Sequence, residues 1–395
     1  SAEREGLRPK GNVPNLRFKE FQGEWEKCKL SEICTFFSGG TPSSSNKDFY
    51  GGNIAFIRSG ELHADSTELF ITQAGFDSSS AKMVEVGDLL LAMYGATSGD
   101  IAVSKIKGAI NQAILCIRTK QNKKFIESIW NKHVSKNLRK YLQGGQGNLS
   151  ADIVKGISFF FPTLKEQEKI ANLVSLLDER IATQNKIIDK LQSLIKGINQ
   201  RVFMNNGINY KLGEICEIRS GYSGNQLLSK KGLKVSRIET ISGHKVNIER
   251  VGYVAPFESS DNYRLRVGDI LFSNINSVEY IGNTAFIDKD YDLYHGMNLL
   301  RLIPNNMVVI PFYLYLLLNT NRMLNRFKTI CNKAVSQASI NQTELGKTVV
   351  QIPDINAQKQ ICELYQALYD KLESEKYANS LFQKQKQYLL RQMFI

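Results

Sequence analysis

The residue clusters that usually carry catalysis are missing from this sequence. Its four histidines, at 63, 133, 244 and 295, are not spaced as a metal-ligand set. No G-x-x-x-x-G-K-[ST] loop is present to cradle nucleotide phosphates. Asn-Pro-Pro-Tyr and Asp-Pro-Pro-Tyr, used by amino-methyltransferases, do not occur. Neither does the Glu-x-Lys or Asp-x-Lys of metal-dependent nucleases. Asp88 and Asp269 each end a Val-Gly-Asp and read as turn aspartates entering strands. The cysteines at 28, 34, 116, 216, 331 and 362 form no Cys-x-x-Cys pair. They read as reduced, buried thiols, which points to a reducing cytoplasm. The expectation is a chain without a catalytic centre, metal or cofactor of its own.

What the sequence does offer is positive charge and polar loops. The net charge of +13 favours a polyanionic partner, with nucleic acid the first candidate. Basic side chains contact phosphates and position a protein on a duplex, while amides read base edges. In the first half, the loop GGTPSSSNKDFYGG (39–52) supplies Thr41, Ser43, Asn46, Lys47 and Tyr50. Tyr94 and Ser98 follow in YGATSGD, and Asn111 with Gln112 has the chemistry of a bidentate adenine reader. A helix expected over 124–142 carries Lys124, Lys132, Lys136, Arg139 and Lys140 against one acid, Glu127. GGQGN after it adds Gln146 and Asn148, where glycines permit close backbone approach. The second-half candidates are Tyr222, Asn225, Gln226, Arg237, Asn274, Asn276, Arg322, Arg326, Lys328, Ser336, Gln337 and Asn341. For each, a solvated helix face or a structural turn is the competing reading.

The elements that position these residues come in duplicate. PTLKEQEKIANLVSLLDERI begins at Pro162, and PDINAQKQICELYQALYDKL begins at Pro353. Pro162, Gln167, Ile170, Leu173 and Leu177 recur as Pro353, Gln358, Ile361, Leu364 and Leu368. KLSEICTFFSG (29–39) likewise matches KLGEICEIRSG (211–221), and VGDLL (86–90) matches VGDIL (267–271). An internal repeat of two domains, each followed by one segment, accounts for all three echoes. The boundaries read as an arm over 1–22, domains over 23–161 and 208–352, and segments over 162–207 and 353–395. Short apolar runs bounded by Gly, Ser or Asn make each domain β-rich, with one helix, hence α+β.

From Ile170 to Val202 the 3.5-residue seam is apolar at every place but Gln184. Thr163 and Glu166 fit a capping box at its start. The second copy has a polar centre at Glu375 and Asn379. About 42 residues at 1.5 Å each make a rod of roughly 60 Å. A domain of this size is too narrow to span that length. The second helix is therefore expected to start where the first stops and to pack back along it. The fold class expected is two β-rich domains separated by a pair of long antiparallel coiled-coil helices, related by a pseudo-twofold. Two basic domains held at a fixed separation suit two half-sites on duplex DNA. No apolar run approaches the ~20 residues that cross a bilayer.

In this order, LRFKEFQGEWEKCKLSEI, SGGTPS (38–43), YGATSGD (94–100), NQA (111–113), GGQGNLS (144–150) and P-x-L-x-x-Q-x-x-I (162–170) are similar to patterns of one family. Nearly the whole chain resembles the specificity subunit of a type I restriction–modification system. The resemblance implies target-recognition domains that read an asymmetric, bipartite double-stranded DNA site with an unread spacer. It implies two methyltransferase subunits clasping the helices, and restriction/translocase subunits joining them. S-adenosylmethionine, ATP and Mg would belong to those partners, which perform adenine methylation and cleavage of unmodified DNA. The second domain has SGYSGNQLLSKKGLKVSRIETI where the first has SGGTPS. A non-enzymatic DNA-binding scaffold or architectural protein is the competing expectation.

Overall fold

The computed structural model describes residues 11–141, 149–203, 207–333 and 337–395, without the side chains of 135–141, 200 and 201. The candidates Gln146, Asn148 and Ser336 lie outside the described residues, as do the side chains of Lys136, Arg139 and Lys140. The chain divides into two compact units, residues 1–185 with 377–395 and residues 186–376. Two 39-residue helices, Leu164–Val202 and Ile355–Met393, each contribute to both units.

In the first unit a four-stranded antiparallel sheet has the order Cys34–Ser38, Ile114–Thr119, Leu89–Ala92, Ile101–Val103. Leu89 to Ala92 are buried without alternation, as expected of a strand covered on both faces. A second sheet runs Phe70–Ile71, Tyr50–Ile57, Gly108–Ile110, Lys82–Val84, and its Tyr50–Ile57 and Gly108–Ile110 strands are parallel. Glu26–Lys29 pairs with Ser158–Phe161, which brings the two ends of the domain together beside the first long helix. Trp25, Phe125, Trp130, Phe161, Ile170, Val174 and Phe394 share one core, so the domain packs on the start of the first long helix and the end of the second.

The second unit repeats this plan. Its four-stranded sheet runs Cys216–Ser220, Leu300–Pro304, Ile270–Phe272, Thr284–Phe286, again antiparallel. Ile208–Lys211 pairs with Val349–Ile352, as Glu26–Lys29 does with Ser158–Phe161. The remainder has diverged. Leu233–Val235 pairs with Gly252–Val254 and bridges to Tyr294, and a small sheet joins Ile275–Asn276, Ala338–Ser339 and Asn332–Lys333. Where one helix was expected in this domain there are two in succession, Pro311–Leu318 and Asn321–Ile330. Thr320 takes extended backbone between them, and its hydroxyl caps the second by accepting from the Met323 amide.

The duplicated Val-Gly-Asp is a turn in both units. Asp88 accepts from the Glu85 amide and Asp269 from the Arg266 amide. Each also binds an arginine on the neighbouring strand, but from different places. Asp88 pairs with half-exposed Arg118, whereas Asp269 pairs with Arg301, which stands opposite Leu271 as Cys116 stands opposite Leu90. Burial raises the Asp88 pKa, but the Arg118 and Glu85 hydrogen bonds outweigh it and leave the group below the usual range. At Asp269 both partners are nearly solvent-free, and burial wins, holding the carboxyl above its ordinary value. Of the six free cysteines only 116, 216 and 331 are buried; 28, 34 and 362 are half-buried.

Each long helix is tied to its domain by the repeated glutamine. Gln167 donates to the Pro162 carbonyl (2.9 Å) and to Gln121 (2.8 Å), and its oxygen accepts from the Asn122 amide (3.1 Å). Gln358 donates to the Pro353 and Val308 carbonyls (2.8 and 3.1 Å) and accepts from the Ile310 amide (2.8 Å). Their exposures are 1% and 0%, so none of these groups has water as an alternative partner. Half of the expected capping box forms. The Thr163 hydroxyl accepts from the Glu166 amide, but the Glu166 carboxylate binds Arg17 of the N-terminal segment. That segment is consequently held against the helix, together with a Leu16 amide bond to the Gln392 carbonyl.

Within the first unit the two long helices run antiparallel: Asp178 meets Lys386, Arg180 stacks on Phe382 and Asn185 bonds Asn379. In the second unit the Tyr365 hydroxyl donates to Asn199, and Phe203 packs on the same ring.

Replacing Gln167 or Gln358 by alanine orphans two or three buried backbone and side-chain groups. Each substitution is expected to cost at least about 2 kcal/mol, since each unsatisfied group costs about 1–3 kcal/mol, read as a lowered urea midpoint by circular dichroism.

His295 gives a pH prediction. It is 1% exposed, and its Nε2–H donates to the Leu299 carbonyl (2.9 Å). Burial, helped by nearby Arg301, pushes its pKa from 6.5 down to about 4. The unfolded chain therefore binds the proton first, and stability present above pH 6.5 is lost as pH falls toward 4. The loss should be on the order of 2–3 kcal/mol. Urea midpoints measured across that window should slope less in His295→Gln than in the unsubstituted chain.

Candidate nucleic-acid interface

In the first unit, three polar turns meet. Gly39 lies so close to the Ile110 carbonyl, and Gly40 so close to Ser80, that a Cβ on either would collide with backbone. The chain after the Cys34–Ser38 strand therefore crosses directly over the residues entering the Ile114–Thr119 strand. Thr41 then donates to the Gln112 side-chain oxygen at 2.5 Å, and both residues are exposed. The rest of the 39–52 loop is self-supporting. The Tyr50 hydroxyl donates to the Pro42 carbonyl, Ser43 bonds Ser45, and Asn46 caps the short Lys47–Phe49 turn.

The second turn is anchored by the Ser98 hydroxyl on the Met93 carbonyl, which leaves Tyr94 exposed. The Met93 amide donates to the Ala113 carbonyl, and this joins it to the third turn, where Asn111 accepts from the Ala113 amide. Asn46, Asn111 and Ser98 thus spend polar groups on structure. Lys47, Tyr94 and Gln112 are exposed, and Thr41 spends its hydroxyl on Gln112. The Leu149 amide bonds the Met93 carbonyl.

The basic helix, Lys123–Tyr141, is less available than its composition suggests. Lys124 bridges Glu127 and Asp178. Lys132 binds the Phe394 carbonyl, and burial lowers its pKa. Both tie the domain to the long helices.

The second unit places its candidates in three groups. Gln226 and Arg237 flank Gly252, a position where a side chain would press on both. Beside them Tyr222 stacks on Phe257 at 3.9 Å, with Tyr263 edge-on at 5.5 Å. Asn225 is exposed on the same loop. In the second group Asn274, Asn276, Gln337 and Asn341 gather around the small sheet. The Ile340 amide bonds the Asn274 carbonyl, Asn276 donates to Ser273, and Asn341 caps Gln342–Gly346. The third group is Arg322 and Arg326, which line a cleft of ≈ 370 Å³ with Asn199, Asn209 and Gln351; Lys328 is half-buried on the same helix.

Four residues not singled out from the sequence join the first two groups. Arg219, Asn262, His295 and Gln342 line a cleft of ≈ 450 Å³ together with Tyr263 and Ser220. The Tyr222 amide donates to the carbonyl of His295 in its lining, and Asn341 adjoins Gln342. The signal for Arg219 was its place in EIRSG, one step before the repeated Ser-Gly.

The cross-over itself is duplicated. Gly221 meets the Gly296 carbonyl as Gly39 meets that of Ile110. The exposed turn beyond is Met297–Asn298, with Asn298 at φ 65°, in the left-handed region. Among the described residues there is no cluster of metal-ligating side chains, and no helix is long and apolar enough to cross a membrane.

Comparison with known proteins bears directly on this twofold plan. The model of the type I restriction modification DNA specificity domain matches residues 22–193 and again residues 207–380. The MjaVIII type I restriction enzyme specificity subunit of Methanocaldococcus jannaschii is 22% identical over 94% of each chain. A protein of the same organism assigned as the MjaX specificity subunit is 45% identical over 158 residues, which span 39% of this chain and 37% of that relative. The crystal structure of the S subunit from the M. genitalium type I system superimposes with a TM-score of 0.61 at 16% identity, covering 97% of this chain and 99% of that one. The two family matches coincide with the two copies of the sheet and cross-over, and the chain belongs to the family of type I restriction–modification DNA specificity proteins.

Proposed function

We propose that this chain is the non-catalytic, DNA-reading subunit of a type I restriction–modification enzyme. It recognises an asymmetric, bipartite duplex site, one half through each unit, and directs partner methyltransferase and restriction/translocase subunits to it. The observation that carries this reading is the same sheet and glycine cross-over built twice, each copy displaying different polar side chains. Like scaffolds with unlike reading surfaces suit two half-sites of different sequence. Thr41, Lys47, Tyr94 and Gln112 in the first unit, with Tyr222, Asn225, Gln226 and Arg237 in the second, form the reading surface. The net charge of +13 adds the phosphate contacts that hold the duplex in place. S-adenosylmethionine, ATP and Mg belong to the partners, and the assembly works in the cytoplasm, where the target DNA is.

The long helices also support partner binding. In the first unit Leu176 is 64% exposed, Leu381 44% and Tyr388 59%, all on their outer faces. Apolar side chains at helical spacing on an outer face suit the methyltransferase subunits.

Two experiments test the reading. The chain mixed with its methyltransferase partner is expected to methylate adenine at one two-part sequence, and either protein alone is expected to give none. Methylation that is unchanged when this chain is omitted removes the proposed role. Separately, Leu176→Glu should reduce co-purification of the methyltransferase at least tenfold while leaving the circular dichroism melt unchanged.

A further inference from the structure

Two exposed amides stand at the same remove from the glycine crossings, Gln112 two residues beyond Ile110 and Asn298 two residues beyond Gly296. In the first unit everything around Gln112 is pinned. Ile110 lies under Gly39, Asn111 accepts from the Ala113 amide, and the Ala113 carbonyl is held by the Met93 amide. Only the Gln112 side chain is exposed, and Thr41 orients it by donating to its oxygen. That bond fixes which end of the amide is the acceptor. Oε1 retains a second lone pair, and Nε2 presents its N–H groups.

In the second unit Gly296 lies under Gly221, its amide is held by the Ser236 hydroxyl, and its missing side chain faces the Ser236 carbonyl. The Leu299 carbonyl is held by His295. Between these fixed points Asn298 is exposed, with left-handed backbone that asparagine adopts more readily than other side-chain-bearing residues.

Resting on the proposed function, we propose that Gln112 and Asn298 are the corresponding adenine readers of the two half-sites, with Thr41 a positioning residue for the first. An amide of fixed orientation accepts from the adenine 6-amino group and donates to N7, a pair of bonds that no other base edge satisfies in the major groove. The glycine cross-overs supply the rigidity. They fix where the backbone of each turn stands, and at Gln112 the Thr41 bond also sets the rotation of the amide.

The test is methylation mapping of genomic DNA from cells carrying the complete system with variants of this chain. Gln112→Ala should relax one position in one half-site, discrimination falling on the order of tenfold to a hundredfold. Thr41→Val should relax the same position less. Gln112→Glu should move the preference there from adenine to cytosine, whose 4-amino group donates to a carboxylate. Asn298→Ala should relax one position in the other half-site. An unchanged motif in both alanine variants overturns the inference, as does relaxation of both variants within one half. If Gln112→Ala lowers the melting temperature, Thr41→Val, an exposed substitution of similar shape, decides the first-unit assignment by the same readout. A two-part motif in the unsubstituted system with no shift in the variants sinks only the reader assignment. Absence of any two-part motif sinks the proposed function along with it.

Discussion

A buried side-chain amide at the start of each long helix holds the architecture. Gln167 and Gln358 bond the carbonyl of their own leading proline and the backbone that begins their domain's helix, in sites closed to water. The amide is suited to this because it donates and accepts at once, and because its neutrality avoids the cost of burying a charge. A carboxylate could not donate, and a lysine could not accept. The helix direction relative to its domain is therefore set by hydrogen bonds with no competing partner. Apolar packing of Ile170 and Val174, or of Ile361 and Tyr365, then fills the space that this orientation defines.

Duplication preserved that frame and left other contacts free to drift. The Val-Gly-Asp turn survives in both units, yet the arginine that neutralises its aspartate comes from different positions on the adjacent strand. One pair stays partly wet and keeps its carboxyl easily ionised. The other is sealed, and desolvation works against its charge. Any solution that compensates the turn aspartate is acceptable to the fold, so sequence identity between the halves decays faster than geometry. The same tolerance allowed Thr320 to divide one helix into two.

Much of this was legible in the residues. The seam from Ile170 to Val202, the repeated EIC and VGD, and the recurrence of Gln167 as Gln358 gave the helices, the twofold plan and the domain class. The family resemblance rested on order and repetition of short motifs. What stayed hidden depends on partners distant in sequence. Glu166 was expected to complete a capping box and instead reaches Arg17, 149 residues away. Lys124 and Lys132 looked like phosphate contacts until Asp178 and the Phe394 carbonyl appeared beside them. Asn298 had no motif in common with Asn111–Gln112, and only the position of the Gly221 crossing links the two turns. The Asn319–Thr320 break carried a readable N-cap signal that the surrounding apolar run obscured.

The bare backbone at Gly39 and Gly221 separates two kinds of inheritance. Residues beneath each crossing are locked by steric necessity, while the side chains displayed beyond it have little to support. New specificities can then arise by exchanging a few outward residues, or a whole half-chain, without refolding the remainder. A lineage under pressure from invading DNA could change its password while keeping its lock.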